Sequence, residues 1–350
     1  MEVNSGSHLV RRRFLAGALA SAAGAAGAQT FGFQPAQRYP DPAVQVLDPE
    51  FGKYKLFNST LEQIATGFRW VEGPLWVADG RYLLFSDIPN NRILRWDETT
   101  GQIGEFRRPS NYSNGLGRDR QGRLLACEHL TRRVSRTEYD GSITVLADRY
   151  QGKRLNSPND IVAMRDGSLW FTDPAFGIGG HWVGEQAVSE LPTSIYRIDP
   201  NTGDLRAVIT DLAGPNGLAF SPDEKTLYVV ESLHQPQCVI WAYDVLAGGR
   251  LGNKRLHIAA KRGAAFDGIK CDELGNLWCA LGSDGSASAD AAEFDGVVVY
   301  TQPARRSVTS ACLNAVPICA SAVPRTIVCS WPAAIPSMPF MWAFVVRCKS

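Results

Sequence analysis

Asn216-Gly217-Leu218-Ala219-Phe220-Ser221-Pro222-Asp223-Glu224-Lys225-Thr226-Leu227-Tyr228-Val229-Val230 opens on a side-chain oxygen, runs into an apolar stretch, turns, and continues as a second apolar run. It reads as strand, hairpin, strand. Four other segments line up with it without a gap: Glu72-Gly73-Pro74-Leu75-Trp76, Asn114-Gly115-Leu116-Gly117, Asn159-Asp160-Ile161-Val162 and Asp267-Gly268-Ile269-Lys270. In every copy a turn residue follows eight positions after the opening residue: Gly80, Gly122, Gly167, Glu224 and Gly275. An apolar run follows each turn, as in Leu169-Trp170-Phe171 and Leu277-Trp278-Cys279-Ala280.

The openings are 42, 45, 57 and 51 residues apart, and each interval holds further strands such as Arg92-Ile93-Leu94-Arg95-Trp96 and Val239-Ile240-Trp241-Ala242-Tyr243. A period of that length with several strands per unit predicts an all-β chain, a six-bladed β-propeller. The innermost strand of every blade lines one axial channel. A residue that holds the same place in each blade therefore points into the same end of it. Glu72, Asn159, Asn216 and Asp267 are expected to converge there, with Asn114 nearby. Two carboxylates and several amide oxygens suit a hard cation such as Ca²⁺. Softer metals call for Cys or several His, which these positions lack. Taken singly, each Asn-Gly or Asp-Gly is equally a turn former; the repeated order is what argues for a site.

Glu72-Gly73-Pro74, Ser157-Pro158-Asn159-Asp160, Gly214-Pro215-Asn216-Gly217-Leu218 and Phe266-Asp267-Gly268 resemble the SMP-30/gluconolactonase/luciferin-regenerating-enzyme-like family over roughly residues 50 to 300. The resemblance, which extends to paraoxonase and diisopropylfluorophosphatase propellers, implies one divalent cation on Glu72, Asn159, Asn216 and Asp267. Calcium is the usual ion, with Zn²⁺, Mg²⁺ or Mn²⁺ as alternatives. It also implies hydrolysis of a sugar lactone, a small-molecule substrate. The cation polarises the carbonyl and a base takes a proton from the attacking water. Asp267 and His129 are the two candidate bases. Asn114, Asp173, and His181 and Trp182 in the long segment 176–191 are candidate substrate contacts. Arg132-Arg133 reads as a solvated strand face and Glu128 as a surface residue. A phosphotriesterase or aryl esterase on the same site, a calcium-pinned binding propeller without catalysis, and an inactive product of a damaged gene stay open as alternatives.

The rest of the chain bounds these readings. With 350 residues, 45% hydrophobic, 20% charged and a net charge of +1, the composition is globular and offers no electrostatic reason for a nucleic-acid partner. Arg11-Arg12-Arg13-Phe14-Leu15 before an Ala/Gly-rich stretch ending Ala26-Gly27-Ala28 resembles a twin-arginine signal. Residues 1–28 are therefore expected to engage the twin-arginine export machinery. After cleavage no membrane segment remains, and the product is periplasmic or secreted. Residues 29–48 read as a linker and 49–300 as the propeller, with Tyr54 to Ile64 supplying the N-terminal strand that closes it. Cys127, Cys238, Cys271 and Cys279 lie in apolar runs without metal or disulfide spacing and read as free thiols.

Residues 301–350 depart from the pattern. No Asp or Glu follows Asp295, although the chain has 35, and Pro317, Pro324, Pro332, Pro336 and Pro339 interrupt any ladder in this tail. The expectation is a last blade that is missing or disordered, its sequence replaced by a reading-frame shift near Val299–Pro303.

Overall fold

A computed structural model describes residues 37–54, 57, 58, 61, 64–284, 286, 294 and 296–301, and the strand backbones at 305–310, 325–330 and 343–348. The expected signal segment lies outside the described residues.

The chain is an all-β propeller. After the short strand β1 (Val44–Val46) come four blades in chain order, each an antiparallel meander of four strands. Blade 1 is β2 (Val71–Val77), β3 (Tyr82–Asp87), β4 (Arg92–Asp97) and β5 (Ile103–Arg107). Blade 2 is β6 (Ser113–Arg118), β7 (Leu124–Glu128), β8 (Arg133–Thr137) and β9 (Ile143–Ala147). A two-residue ribbon, β10 (Arg149–Tyr150) with β11 (Lys153–Arg154), leads to blade 3: β12 (Ile161–Ala163), β13 (Leu169–Asp173), β14 (Ser194–Ile198) and β15 (Leu205–Ile209). Blade 4 is β16 (Pro215–Phe220), β17 (Thr226–Glu231), β18 (Val239–Leu246) and β19 (Arg250–Ala259). Blade 5 is β20 (Ala264–Cys271), β21 (Leu277–Ser283), β22 (Gly296–Thr301) and β23 (Arg305–Ser310), and β1 adds to it as a fifth strand along β23.

The innermost strands β2, β6, β12, β16 and β20 stand side by side in that order. The second strands read as continuous apolar runs because neighbouring blades cover both their faces. In β7 and β13 every residue is buried, whereas the outermost strands β5 and β9 are mostly exposed or half-exposed. The core is thus a set of layers between blades. Leu84, Ile93, Leu116 and Leu124 pack between blades 1 and 2. Cys127, Ile161, Phe171 and Tyr196 pack between blades 2 and 3, and Trp170, Leu218 and Val229 between blades 3 and 4. Each hairpin turns on a left-handed residue. Gly122, Gly167 and Gly275 take φ of +81°, +87° and +84°, and Glu224 takes +56° in blade 4. In blade 1 the left-handed residue is Arg81 rather than Gly80. Cys127, Cys238, Cys271 and Cys279 are free, the first, second and fourth of them buried.

One expectation needs correction. Five blades, not six, are present among the described residues, followed by a hairpin of β24 (Arg325–Ser330) and β25 (Ala343–Cys348) whose second strand runs beside β2. The expected N-terminal strand, Tyr54 to Ile64, lies largely outside the described residues. An N-terminal contribution that is described is β1 on β23, followed by a 3₁₀ segment, Pro49–Tyr54, that sinks Phe51 against Trp278, Val297 and Val299. Burying that phenyl ring contributes about 2 kcal/mol. The tail prolines Pro317, Pro324, Pro332, Pro336 and Pro339 lie outside the described residues.

Candidate active site

Each opening residue sits at a β-bulge of its innermost strand. The pairing register slips between Glu72 and Leu75, between Ser113 and Leu116, between Pro215 and Leu218, and between Phe266 and Ile269. At blade 3 the ladder likewise breaks just before β12, where Asn159 N–H donates to the Thr172 carbonyl and Thr172 N–H donates to the Asp160 carbonyl. A bulge re-aims the side chain it carries. It also brings the blades close. Gly115 N–H donates to the Asn159 carbonyl at 2.7 Å. A Cβ on Gly73 would fall on the Asn114 carbonyl, one on Gly115 on the Asn159 carbonyl, and one on Gly217 on the Asp267 carbonyl. Opening residues of successive blades are therefore stacked backbone against backbone. Blade 3 has Asp160 where the others have glycine, and that carboxylate reaches forward to Leu218 N–H in blade 4 and to Lys270 Nζ, 3.7 Å away, in blade 5.

Asn114, Asn159 and Asn216 are buried, Glu72 and Asp267 half-buried. Glu72 Oε1 accepts the indole N–H of Trp70 at 2.8 Å. Asn216 donates its amide NH₂ to Ser232 Oγ at 3.1 Å, which turns its carbonyl oxygen the other way; Ser232 Oγ in turn donates to the Phe266 carbonyl, next to Asp267. Among the described residues no cluster of three His, Cys, Asp or Glu occurs. Any cation here would therefore depend on the asparagine oxygens.

His129 follows β7 and is buried. Its Nδ1–H donates to the Val183 carbonyl at 3.0 Å, leaving Nε2 as a buried acceptor with no partner among the described residues. Gly177 presses on the ring and Gly184 on the Gly177 carbonyl, and no Cβ would fit at either. Burial pushes the imidazole down to about 4, against the upward pull of the Val183 bond. The segment carrying Val183 runs from the end of β13 to β14, and in it His181 and Trp182 are exposed.

Asp173 ends β13 with no exposure. Its Oδ2 accepts Asn156 N–H at 2.8 Å and Oδ1 has no partner among the described residues. Burial pushes this carboxyl up to about 7, against the Asn156 and Ser157 amides and the charge of Arg132. Asp173 belongs to a second repeat that the sequence reading missed. The second strands of blades 1 to 4 end in Asp87, Glu128, Asp173 and Glu231, all buried. Each grips the residue three positions before its blade's opening residue: Asp87 takes Arg69 N–H, Glu128 the Asn111 amide, Asp173 Asn156 N–H and Glu231 Ala213 N–H. The constant spacing was available as a signal. Glu128 is accordingly no surface residue, and it also takes Arg107, Arg133 and Ser135. Arg132 is not a solvated face either. It is buried, with Nε donating to the Leu155 and Asn156 carbonyls.

His129 and Asp173 pull on stability in opposite directions. The folded imidazole refuses a proton that the unfolded chain accepts, so its contribution is lost as pH falls from 6.5 through about 4. The folded Asp173 carboxyl holds a proton that the unfolded chain releases, so its contribution is lost as pH rises from 3.8 through about 7. The two largely cancel between these limits. Against wild type, His129→Gln is expected to lose stability with rising pH over that window, and Asp173→Asn to lose it with falling pH. Each divergence should reach about 3 kcal/mol by urea denaturation. Variants that track the wild-type pH curve would refute both assignments.

The family model described as the SMP-30/Gluconolactonase/LRE-like region matches residues 70–316. A gluconolactonase of Zymomonas mobilis is 33% identical over 245 residues, 63% of this chain and 67% of the relative. A solved gluconolactonase from Xanthomonas campestris superposes with a TM-score of 0.71 at 32% identity, over 89% of this chain and 96% of that one. A solved calcium-binding protein, regucalcin, from Agrobacterium tumefaciens shares the fold with a TM-score of 0.54 at 19% identity, over 70% of this chain and 75% of that one.

Proposed function

The chain belongs to the SMP-30/gluconolactonase/LRE-like family, and on that premise we propose that it is a hydrolase that opens a sugar lactone to its hydroxy acid at the ring of bulges. The observation that carries the reading is the stacking of oxygen-bearing residues, one per blade, at a single bulge position. Glu72, Asn159, Asn216 and Asp267 hold a divalent cation, calcium first. The donor set fits: two carboxylates balance the charge, and the Asn216 oxygen is turned away from Ser232. When bound, the cation supplies Lewis acidity to the lactone carbonyl oxygen. Asp267 takes the proton of the attacking water. His129, kept neutral by burial and oriented through Nδ1–H, is the second candidate base at Nε2. Asn114 walls the site, Trp182 and His181 meet the substrate from the segment above, and Asp173 acts from beneath by fixing the entry to Asn159.

The sixth place in the ring, between β20 and β2, is assigned to the β24–β25 hairpin. This rests on β25 running beside β2. Residues 1–28 are proposed to direct export through the twin-arginine route, giving a periplasmic or secreted enzyme without nucleic-acid or membrane partners.

The test is a hydrolysis screen over aldonolactones, homoserine lactones, aryl esters and phosphotriesters, with and without a chelator. Turnover of an aldonolactone that stops on chelation and returns with calcium is expected. Turnover confined to esters or phosphotriesters, or indifferent to chelation, would overturn the reading.

A further inference from the structure

Trp70 sits two residues before Glu72 and is buried. Its backbone is pinned at both ends, with N–H on Asp87 Oδ1 at 3.4 Å and the carbonyl accepting Ile88 N–H at 2.9 Å. Its indole N–H reaches Glu72 Oε1 at 2.8 Å. Trp70 also packs with Ile88 and Val183, and its ring meets that of Trp182 in a T-shaped pair with centroids 5.2 Å apart at 80°. Val183 also supplies the carbonyl that holds His129. The segment between β13 and β14 thus leaves blade 3 and is fastened at two points: Trp70 of blade 1 and His129 of blade 2.

The geometry points to Trp70 as a positioning residue that couples the cation ligand Glu72 to this segment. One indole orients the carboxylate and carries Trp182 at the mouth of the site. This rests on the proposed cation site above. A glutamate side chain loses rotamer freedom when it ligates. An N–H already fixed on one oxygen removes part of that cost beforehand. Loss of such an outer partner typically weakens metal binding about 10- to 100-fold. Trp182, by contrast, is 49% exposed and packs on the Trp70 ring, so it should govern substrate affinity more than cation affinity.

The test uses the full chain and calcium alone. Calorimetric titration of Trp70→Phe, which keeps a ring against Trp182 but has no N–H, should show the calcium Kd raised about tenfold or more. Trp182→Phe should leave that Kd within about twofold while raising KM for the lactone. In the unmodified chain calcium should protect the half-exposed Trp182 from acrylamide quenching, a measurement that still decides if Trp70→Phe does not fold. Unchanged affinity in Trp70→Phe, or quenching indifferent to calcium, overturns the coupling. A wild-type chain that takes up no calcium overturns the cation site itself, and the coupling with it.

Discussion

Asp267→Ala is expected to abolish lactone hydrolysis, with kcat lowered at least about a thousandfold at saturating calcium, because one residue carries two duties. Asp267 is half-buried on the β20 bulge, with its carbonyl against Gly217 of blade 4. Removing the side chain takes away a ligand charge and the leading candidate base together. Asp267→Asn separates the two. The amide keeps an oxygen for the cation but cannot accept the proton, so calcium binding should weaken moderately while kcat falls about 10²- to 10⁴-fold. His129→Gln is the matched control. If Asp267→Asn still turns over and His129→Gln does not, the proton goes to Nε2 of His129 and the assignment reverses. Initial rates by pH-stat, read beside calcium affinities, distinguish the outcomes.

Gly115→Ala should cost about 3 kcal/mol or more, or prevent recovery of soluble protein. The added methyl would meet the Asn159 carbonyl and the Asp160 Cα, both backbone atoms that cannot swing aside. Relief requires blades 2 and 3 to separate, which also lengthens the Gly115–Asn159 hydrogen bond and opens the layer around Ile161 and Phe171. Gly268→Ala is the informative partner. It occupies the same place in blade 5, yet its Cβ would meet none of the described residues. Its expected cost in metal-free protein is within about 0.5 kcal/mol. Thermal melts of the two variants compare a filled inter-blade contact with the flank facing the sixth place. A large loss in Gly268→Ala would mean that another element packs there as tightly as blade 3 packs on blade 2.

The inner strands and hairpins were legible because the opening residue and the turn keep one spacing through all five copies. The lactone-hydrolase reading followed from the same residues. The bulges were not legible, since a slipped register leaves the order of apolar and polar residues unchanged. Asp87, Glu128, Asp173 and Glu231 were visible in principle at a near-constant distance from the openings. Each reads locally as a turn initiator or surface acid, and charged residues are rarely buried without partners that only the fold supplies. Arg132 misled for the same reason. β1 could not have been foreseen from three residues, because its partner strand lies at the other end of the sequence.

That partnership sets the order in which the molecule can be completed. Val44 to Val46 lie opposite Ser310 to Val308, so sealing this edge closes a loop of roughly 260 residues. The chain entropy of such a closure is about 5 kcal/mol, against hairpins elsewhere that close within a few residues. Blades 1 to 4 can each form as they leave the ribosome, but the edge of blade 5 must wait until nearly the whole chain exists. The N-terminal segment, made first, is thus among the last to dock. Any nascent chain halted before β22 would lack Val297 and Val299 and so carry Phe51 and Trp278 uncovered, as a ready handle for chaperones.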